Sequence, residues 1–271
     1  MTNKQYIILG VFAGNTKQNK PYIRLKVANF DHKFEISVWD ISKEEAPKVG
    51  QYVTFATIKE NGHYKDAVKK DVQFFVAGKD NPLAILLPTI ISNAEWNEVK
   101  QVLLNYCTDK ILIEIIDEQM DRLLNVYAEF PAATTVHHAY KGGLLNHTYQ
   151  MLNMLRGIYS VLPFQIKIEH VILGLLFHDF GKIREYVDDG VTKDMALLGH
   201  IYIGANELNA ILLTKKMNPK EIKHILHCVL AHHGKLEHGS PVIPSTLEAF
   251  LVFHLDALSG HGDIYTNATC G

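Results

Sequence analysis

Val171-Ile-Leu-Gly-Leu-Leu-Phe-His-Asp-Phe-Gly-Lys182 is the stretch on which the reading of this chain turns. Seven apolar residues run into an adjacent histidine and aspartate, and a glycine and a lysine follow within three positions. An apolar run of that length carries its end into a core, where an unpaired polar side chain is costly. One buried histidine is most often a core residue with its hydrogen bonds satisfied. A His-Asp pair closing such a run is harder to account for in that way.

Outward from this pair, side chains of the same kind recur beside apolar helical stripes. His147 lies early in Gly143-Leu-Leu-Asn-His-Thr-Tyr149, and His200 lies in Leu198-Gly-His-Ile-Tyr-Ile-Gly204. His232-His233-Gly234 comes next, and Asp256 closes the series in Phe253-His-Leu-Asp-Ala-Leu258. Five histidines and two aspartates in this order are not explained by core packing, whereas convergence on metal explains them. An imidazole and carboxylate donor set without thiolate suits Mn²⁺, Fe²⁺, Co²⁺ or Zn²⁺ better than Ca²⁺ or Mg²⁺ alone. Cys107, Cys228 and Cys270 are odd in number, far apart and in no CxxC pair. They argue against a thiolate zinc site and a disulfide framework, and for a reducing cytoplasm.

The segments that carry these residues read as helices. Ser92-Asn-Ala-Glu95 is a capping box that predicts a helix to about Tyr106. Further helices are expected over 109–129, 143–160, 167–179, 196–216, 219–233 and 245–259, with Pro219 as a favoured first helical residue. No apolar run approaches the roughly 18 residues that span a bilayer, and the N-terminus has no apolar segment of the secretory kind. The expectation is a cytoplasmic protein without a membrane partner.

Before residue 80 the pattern changes to β. Short β-branched or aromatic runs at 6–12, 21–30, 33–40, 51–59 and 72–77 are separated by turn residues such as Gly14-Asn15 and Asn61-Gly62. Ile23, Leu25 and Val27 alternate with Tyr22, Arg24 and Lys26, and Phe34, Ile36 and Val38 alternate with Glu35, Ser37 and Trp39. That period gives one buried and one wet face. Five such strands in about 80 residues suit an OB-fold barrel. Tyr22, Arg24, Lys26 and Trp39 then share the wet face, where rings stack bases and cations meet phosphates. The alternative is that Trp39 packs on a neighbouring domain and the cations are only solvated.

Charge and histidine content divide at the same place. Residues 1–90 hold 13 Lys/Arg and 9 Asp/Glu, whereas residues 91–271 hold 14 and 20, and thirteen of the 15 histidines lie in the second part. The boundaries drawn are 1–80 for an all-β domain, 81–91 for a linker whose aliphatic residues pack down, and 92–271 for an all-α domain.

The order His, His-Asp, His, His-His, Asp resembles the HD superfamily of metal-dependent phosphohydrolases. Pro131-Ala-Ala, His137-His138-Ala-Tyr-Lys-Gly-Gly-Leu-Leu-Asn-His147, His178-Asp-Phe-Gly-Lys182, Gly199-His200-Ile and His232-His-Gly-Lys-Leu-Glu-His-Gly-Ser-Pro-Val242 are similar to the YhaM-type 3′→5′ exoribonucleases. That group includes proteins described as CMP-binding factors, and it places an OB-fold before the HD domain. The resemblance implies that His147, His178, Asp179 and Asp256 hold one ion. It also implies that His200, His232 and His233 hold a second, with Asp179 bridging. A single-metal alternative uses only the first four. The implied cofactor is a divalent metal, Mn²⁺ first and Fe²⁺, Co²⁺ or Zn²⁺ next.

Catalytic roles fall on Asp179, on Lys182 and on His138. Lys182 would hold a phosphate oxygen, or else only cap helix-end carbonyls. His138 would touch substrate or protonate a leaving oxygen, or else be a polar loop residue. His170, His224, His227, His238 and His254 are expected at the surface or behind the ligands. The implied activity is hydrolysis of single-stranded RNA from the 3′ end, with DNA left open as a second substrate. Two rivals stay open: hydrolysis of small or cyclic nucleotides, and a non-catalytic DNA- or RNA-binding regulatory factor. A homo-oligomer is compatible with the resemblance, which leads one to expect a longer helical tail than the residues after Asp256 supply.

Overall fold

The computed structural model describes residues 4–16, 18–62, 64–76, 81–87, 89–132, 140–184, 186–187, 190–191 and 193–268. It divides into two compact units, one built on Met1–Thr89 and one on Ile90–Ile264.

The first unit is a seven-stranded sheet of β1 (Gln5–Asn15), β2 (Pro21–Ala28), β3 (Lys33–Trp39), β4 (Tyr52–Phe55), β5 (Lys59–Asn61), β6 (Tyr64–Val68) and β7 (Val72–Phe75). The strand order is β5-β6-β3-β2-β1-β4-β7. Every pairing is antiparallel except β3 with β6. The sheet curls into an OB-like half-barrel around Ile8, Ile23, Leu25, Val27, Ile36, Val38 and Val53. The predicted alternation is present: Ile23, Leu25 and Val27 are sealed, while Tyr22, Arg24 and Lys26 alternate with them as half-buried residues. The hairpin β5–β6 was not among the five runs expected. Its first strand, Lys59-Glu-Asn61, is wholly exposed and its second buries only Ala67, so no apolar period marks it. The turn Pro82–Leu86 packs down through Leu83 against Ile7, Leu9 and Tyr52.

The second unit is helical: α1 (Asn93–Tyr106), α2 (Lys110–Tyr127), α3 (Gly143–Ile158), α4 (Ile168–Phe177), α5 (Lys193–Thr214), α6 (Pro219–Leu230) and α7 (Leu247–Ala268). The capping box is formed, with Ser92 Oγ accepting from Glu95 N at 3.3 Å and Glu95 Oε2 accepting from Ser92 N at 2.7 Å. At α6, Asn218 accepts from Lys220 N at 2.9 Å ahead of Pro219. All ten residues of α4 are buried, and it packs against α2, α3 and α6. At about 1.5–3 kcal/mol for each fully buried large apolar side chain, α4 is the axis on which the core is built. Glu169 of this helix accepts from Thr108 N at 2.6 Å and Asp109 N at 3.1 Å, which ties the start of α2 to the same axis.

α5 is two helices joined at Gly199, whose φ of 72° and ψ of 153° break the helical path one residue before His200. It begins at Lys193, three residues before the predicted start, and α7 runs nine residues past its predicted end. The segment Ala196–Thr214 of α5 is long and apolar enough to cross a membrane by length and composition, which corrects the expectation that no such run exists. Leu208 and Leu212 of that helix are sealed in the helical core, and Glu207 pairs with Arg122 of α2 at 3.0 Å.

Candidate metal centre

His178 ends α4 and Asp179 follows it, so the apolar helix delivers both side chains to the inside; each is at most 3% exposed. The Tyr127 hydroxyl, itself buried, donates to Leu176 O at 2.5 Å and fixes the helix end two residues earlier. Four of the five imidazoles here are oriented through Nδ1, three of them by a backbone carbonyl. His178 Nδ1 lies 2.8 Å from Leu175 O, His232 Nδ1 2.7 Å from Val229 O, and His233 Nδ1 2.9 Å from His238 O. A carbonyl only accepts, so each of these nitrogens carries the proton and leaves Nε2 as the bare donor, the tautomer that ligates metal through Nε2.

His147 reaches the same state by a relay. Ser259 Oγ donates to Gln150 Oε1 at 2.8 Å and accepts from His147 Nδ1 at 2.8 Å. The bare Nε2 atoms of His147 and His178 then face one another at 3.2 Å. Two lone pairs at that distance call for a cation between them. Asp256 Oδ1 lies 3.1 Å from His147 Nε2 and 4.0 Å from His178 Nε2, which completes one triad. His200, His232 and His233 form the second triad, with donor atoms within 4.8 Å of one another. His200 Nε2 and His232 Nε2 are buried with no hydrogen-bond partner among the described residues. An orphaned buried acceptor costs about 1–3 kcal/mol, and a metal ion removes that cost. The residues therefore fit two divalent ions.

Asp179 stands between the triads. Its Oδ2 lies 3.3 Å from His178 Nε2 and 3.8 Å from His147 Nε2, and its Oδ1 lies 3.7 Å from His200 Nε2 and 3.9 Å from His232 Nε2. Lys182 donates to Asp179 Oδ2 at 2.6 Å. Burial alone would raise the Asp179 pKa, but the Lys182 ammonium and the His178 imidazole outweigh it and hold the carboxyl well below its usual range. Burial pushes His200 down to about 4 and His232 down to about 3, so both are neutral donors at neutral pH. At His178 burial acts the same way, yet the carboxylates of Asp179 and Asp256 prevail and raise its pKa.

Seven of the residues singled out in the sequence thus converge here: His147, His178, Asp179, His200, His232, His233 and Asp256. His138 lies outside the described residues. His170, expected at the surface or behind the ligands, is 4% exposed and sits 3.3 Å from the half-buried Glu221 of α6, in a pair separate from the centre. Its place on α4, all of whose residues are buried, is the reason. Ser259, Gln150 and Tyr127 escaped the sequence reading, because nothing in their local pattern marks a partner more than thirty positions away.

On the sheet, Tyr22 pairs with Trp39 in the β2–β3 register, ring centroids 5.2 Å apart, and Arg24 and Lys26 follow along the same strand face. Phe12 of β1 extends the row, 6.4 Å from Tyr22. Trp39 Nε1 donates to Asp66 Oδ1 on β6 at 3.1 Å, which anchors the indole beside Tyr22. Lys26 stands opposite Glu35.

No solved structure matches this chain. Residues 144–260, which include all seven converging side chains, match the family model of the HD domain. The helical unit carries an HD domain, a fold that implies a metal-dependent phosphohydrolase.

Proposed function

We propose that this chain is a metal-dependent 3′→5′ exonuclease acting on single-stranded RNA, with DNA an open second substrate, the OB-like sheet holding the strand and the HD domain cutting it. The observation that carries the reading is Asp179, with one carboxylate oxygen toward each of the two donor triads. A divalent pair, Mn²⁺ first, would when bound neutralise charge at a phosphodiester and acidify a water for in-line attack. In this reading His147, His178 and Asp256 would hold one ion and His200, His232 and His233 the other, with Asp179 serving both. Lys182, already within the centre, offers its ammonium to a phosphate oxygen where charge builds up. His138 is assigned to the leaving oxygen on the resemblance of its sequence context. The 3′→5′ direction rests on the same resemblance. The row Phe12, Tyr22 and Trp39, flanked by Arg24 and Lys26, supports the assignment of the sheet to the strand.

End-labelled single-stranded RNA and DNA, incubated with Mn²⁺, Mg²⁺ or chelator and resolved on a sequencing gel, test the proposal. The expected result is a ladder shortening from the 3′ end with Mn²⁺ and none with chelator. Asp179→Ala should abolish the ladder and strip most bound metal in elemental analysis, and His200→Ala should lose chiefly one equivalent. Metal content unchanged in both variants would remove the two-ion assignment.

A further inference from the structure

The OB-like unit holds a cavity of about 750 Å³ between the β2–β3 turn and the β5–β6 hairpin, on residues the strand-holding row does not use. That volume lies in the range of sites for small ligands. Its walls carry three aromatic rings, Tyr6, Phe30 and Phe34. Tyr6 is 6% exposed and sits edge-on to Phe34 at 5.1 Å, so its ring forms part of the cavity wall. Its hydroxyl adds a polar group to an otherwise aromatic wall, the kind of group that orients a ligand in an apolar pocket. Phe30, in contrast, is 64% exposed, yet it stands on a turn that is held in place. Asn29 Oδ1 accepts from Asp31 N at 3.0 Å and from His32 N at 2.8 Å, and Asn29 N donates to His32 O at 2.8 Å. A large ring presented to water on a fixed turn is preorganised for stacking.

The cations of the cavity differ in their commitments. Lys65 is ion-paired with Glu60 and lies over the Phe34 ring. Lys33 forms no ion pair with a described residue and remains available to an anion. A flat ring with a polar edge and an anionic group describes a nucleotide.

We propose that this cavity is a nucleotide subsite for a single strand, with the base against Phe30, its polar edge toward the Tyr6 hydroxyl, and the phosphate on Lys33. The inference deepens the assignment of the sheet to the strand and rests on it. The test uses the full chain in chelator, where hydrolysis plays no part. Calorimetric titration with AMP, GMP, CMP, UMP and inorganic phosphate is followed by competition with a single-stranded 12-mer. The expected result is binding of the nucleoside monophosphates, displaced by the 12-mer. Phe30→Ala and Lys33→Glu should each weaken binding about tenfold, and Tyr6→Phe, which keeps the ring, about fivefold. No nucleotide binding, binding matched by inorganic phosphate, binding unmoved by the three variants, or no displacement by the 12-mer would each overturn the proposal. Failure of the exonuclease assay alongside intact nucleotide binding would strike only the catalytic reading.

Discussion

At the scale of single residues, the centre depends on proton placement. Four imidazoles of the cluster present a bare Nε2 because something else takes the Nδ1 proton. For three of them that acceptor is a backbone carbonyl. His147 alone depends on a side chain, Ser259, which Gln150 orients in turn. Ser259→Ala should therefore lower metal affinity at the His147 triad by about 10–100-fold and leave the His200 triad loaded. Metal titration followed by elemental analysis after dialysis measures this, and circular dichroism checks that the fold is kept. Ser259→Thr, which retains the hydroxyl, should restore affinity. Equal affinity in the alanine variant would show that His147 needs no such relay.

At the scale of elements, glycine sets how closely α5 approaches the end of α4. Gly199 turns the chain at φ 72°, a conformation that favours glycine. Gly181 faces the residue that follows: a Cβ there would lie 2.2 Å from His200 O and 2.5 Å from His200 Cα. Backbone cannot yield as a flexible side chain does, so Gly181→Ala must displace His200. The variant should lose about 1–3 kcal/mol of stability, read from urea unfolding, together with the metal equivalent held by His200, His232 and His233. Full retention of both would mean that the loop and α5 part without cost. The sequence marked the helix starts well, because Ser92, Asn218 and Pro219 act on their own neighbours. It marked the β5–β6 hairpin poorly, because a strand pair that buries one alanine leaves no apolar period to read.

At the scale of the whole molecule, two units carry two kinds of chemistry, a mixed aromatic and cationic sheet and a histidine-carboxylate centre. If the sheet face holds the strand, replacing Tyr22 and Trp39 by Ala should raise the KM for a 20-mer, since stacking is worth about 1–3 kcal/mol per base. Replacing Arg24 and Lys26 by Glu should do the same and also flatten the salt dependence of affinity. Neither pair should alter hydrolysis of a minimal phosphodiester by more than about twofold, within the scatter of distant surface changes. Equal loss on the long and the minimal substrate would assign these side chains to folding instead.

Much of this molecule is written locally. The alternation of Ile23, Leu25 and Val27 with Tyr22, Arg24 and Lys26 reads as a half-buried strand because side chains on a strand alternate between faces. The apolar run before His178 reads as a buried helix end because burial scales with apolar area. The identities of the seven converging residues were also legible, since their types and order carry the resemblance to HD proteins. What tertiary structure alone decided is how they meet. The 3.2 Å approach of two bare imidazole nitrogens, the two-sided placement of Asp179, the Ser259 relay and the close pass of Gly181 to His200 join residues far apart in the chain. So does the cavity that collects Tyr6, Phe30 and Phe34. Such contacts arise from the packing of whole elements, and no local pattern of residues encodes their distances.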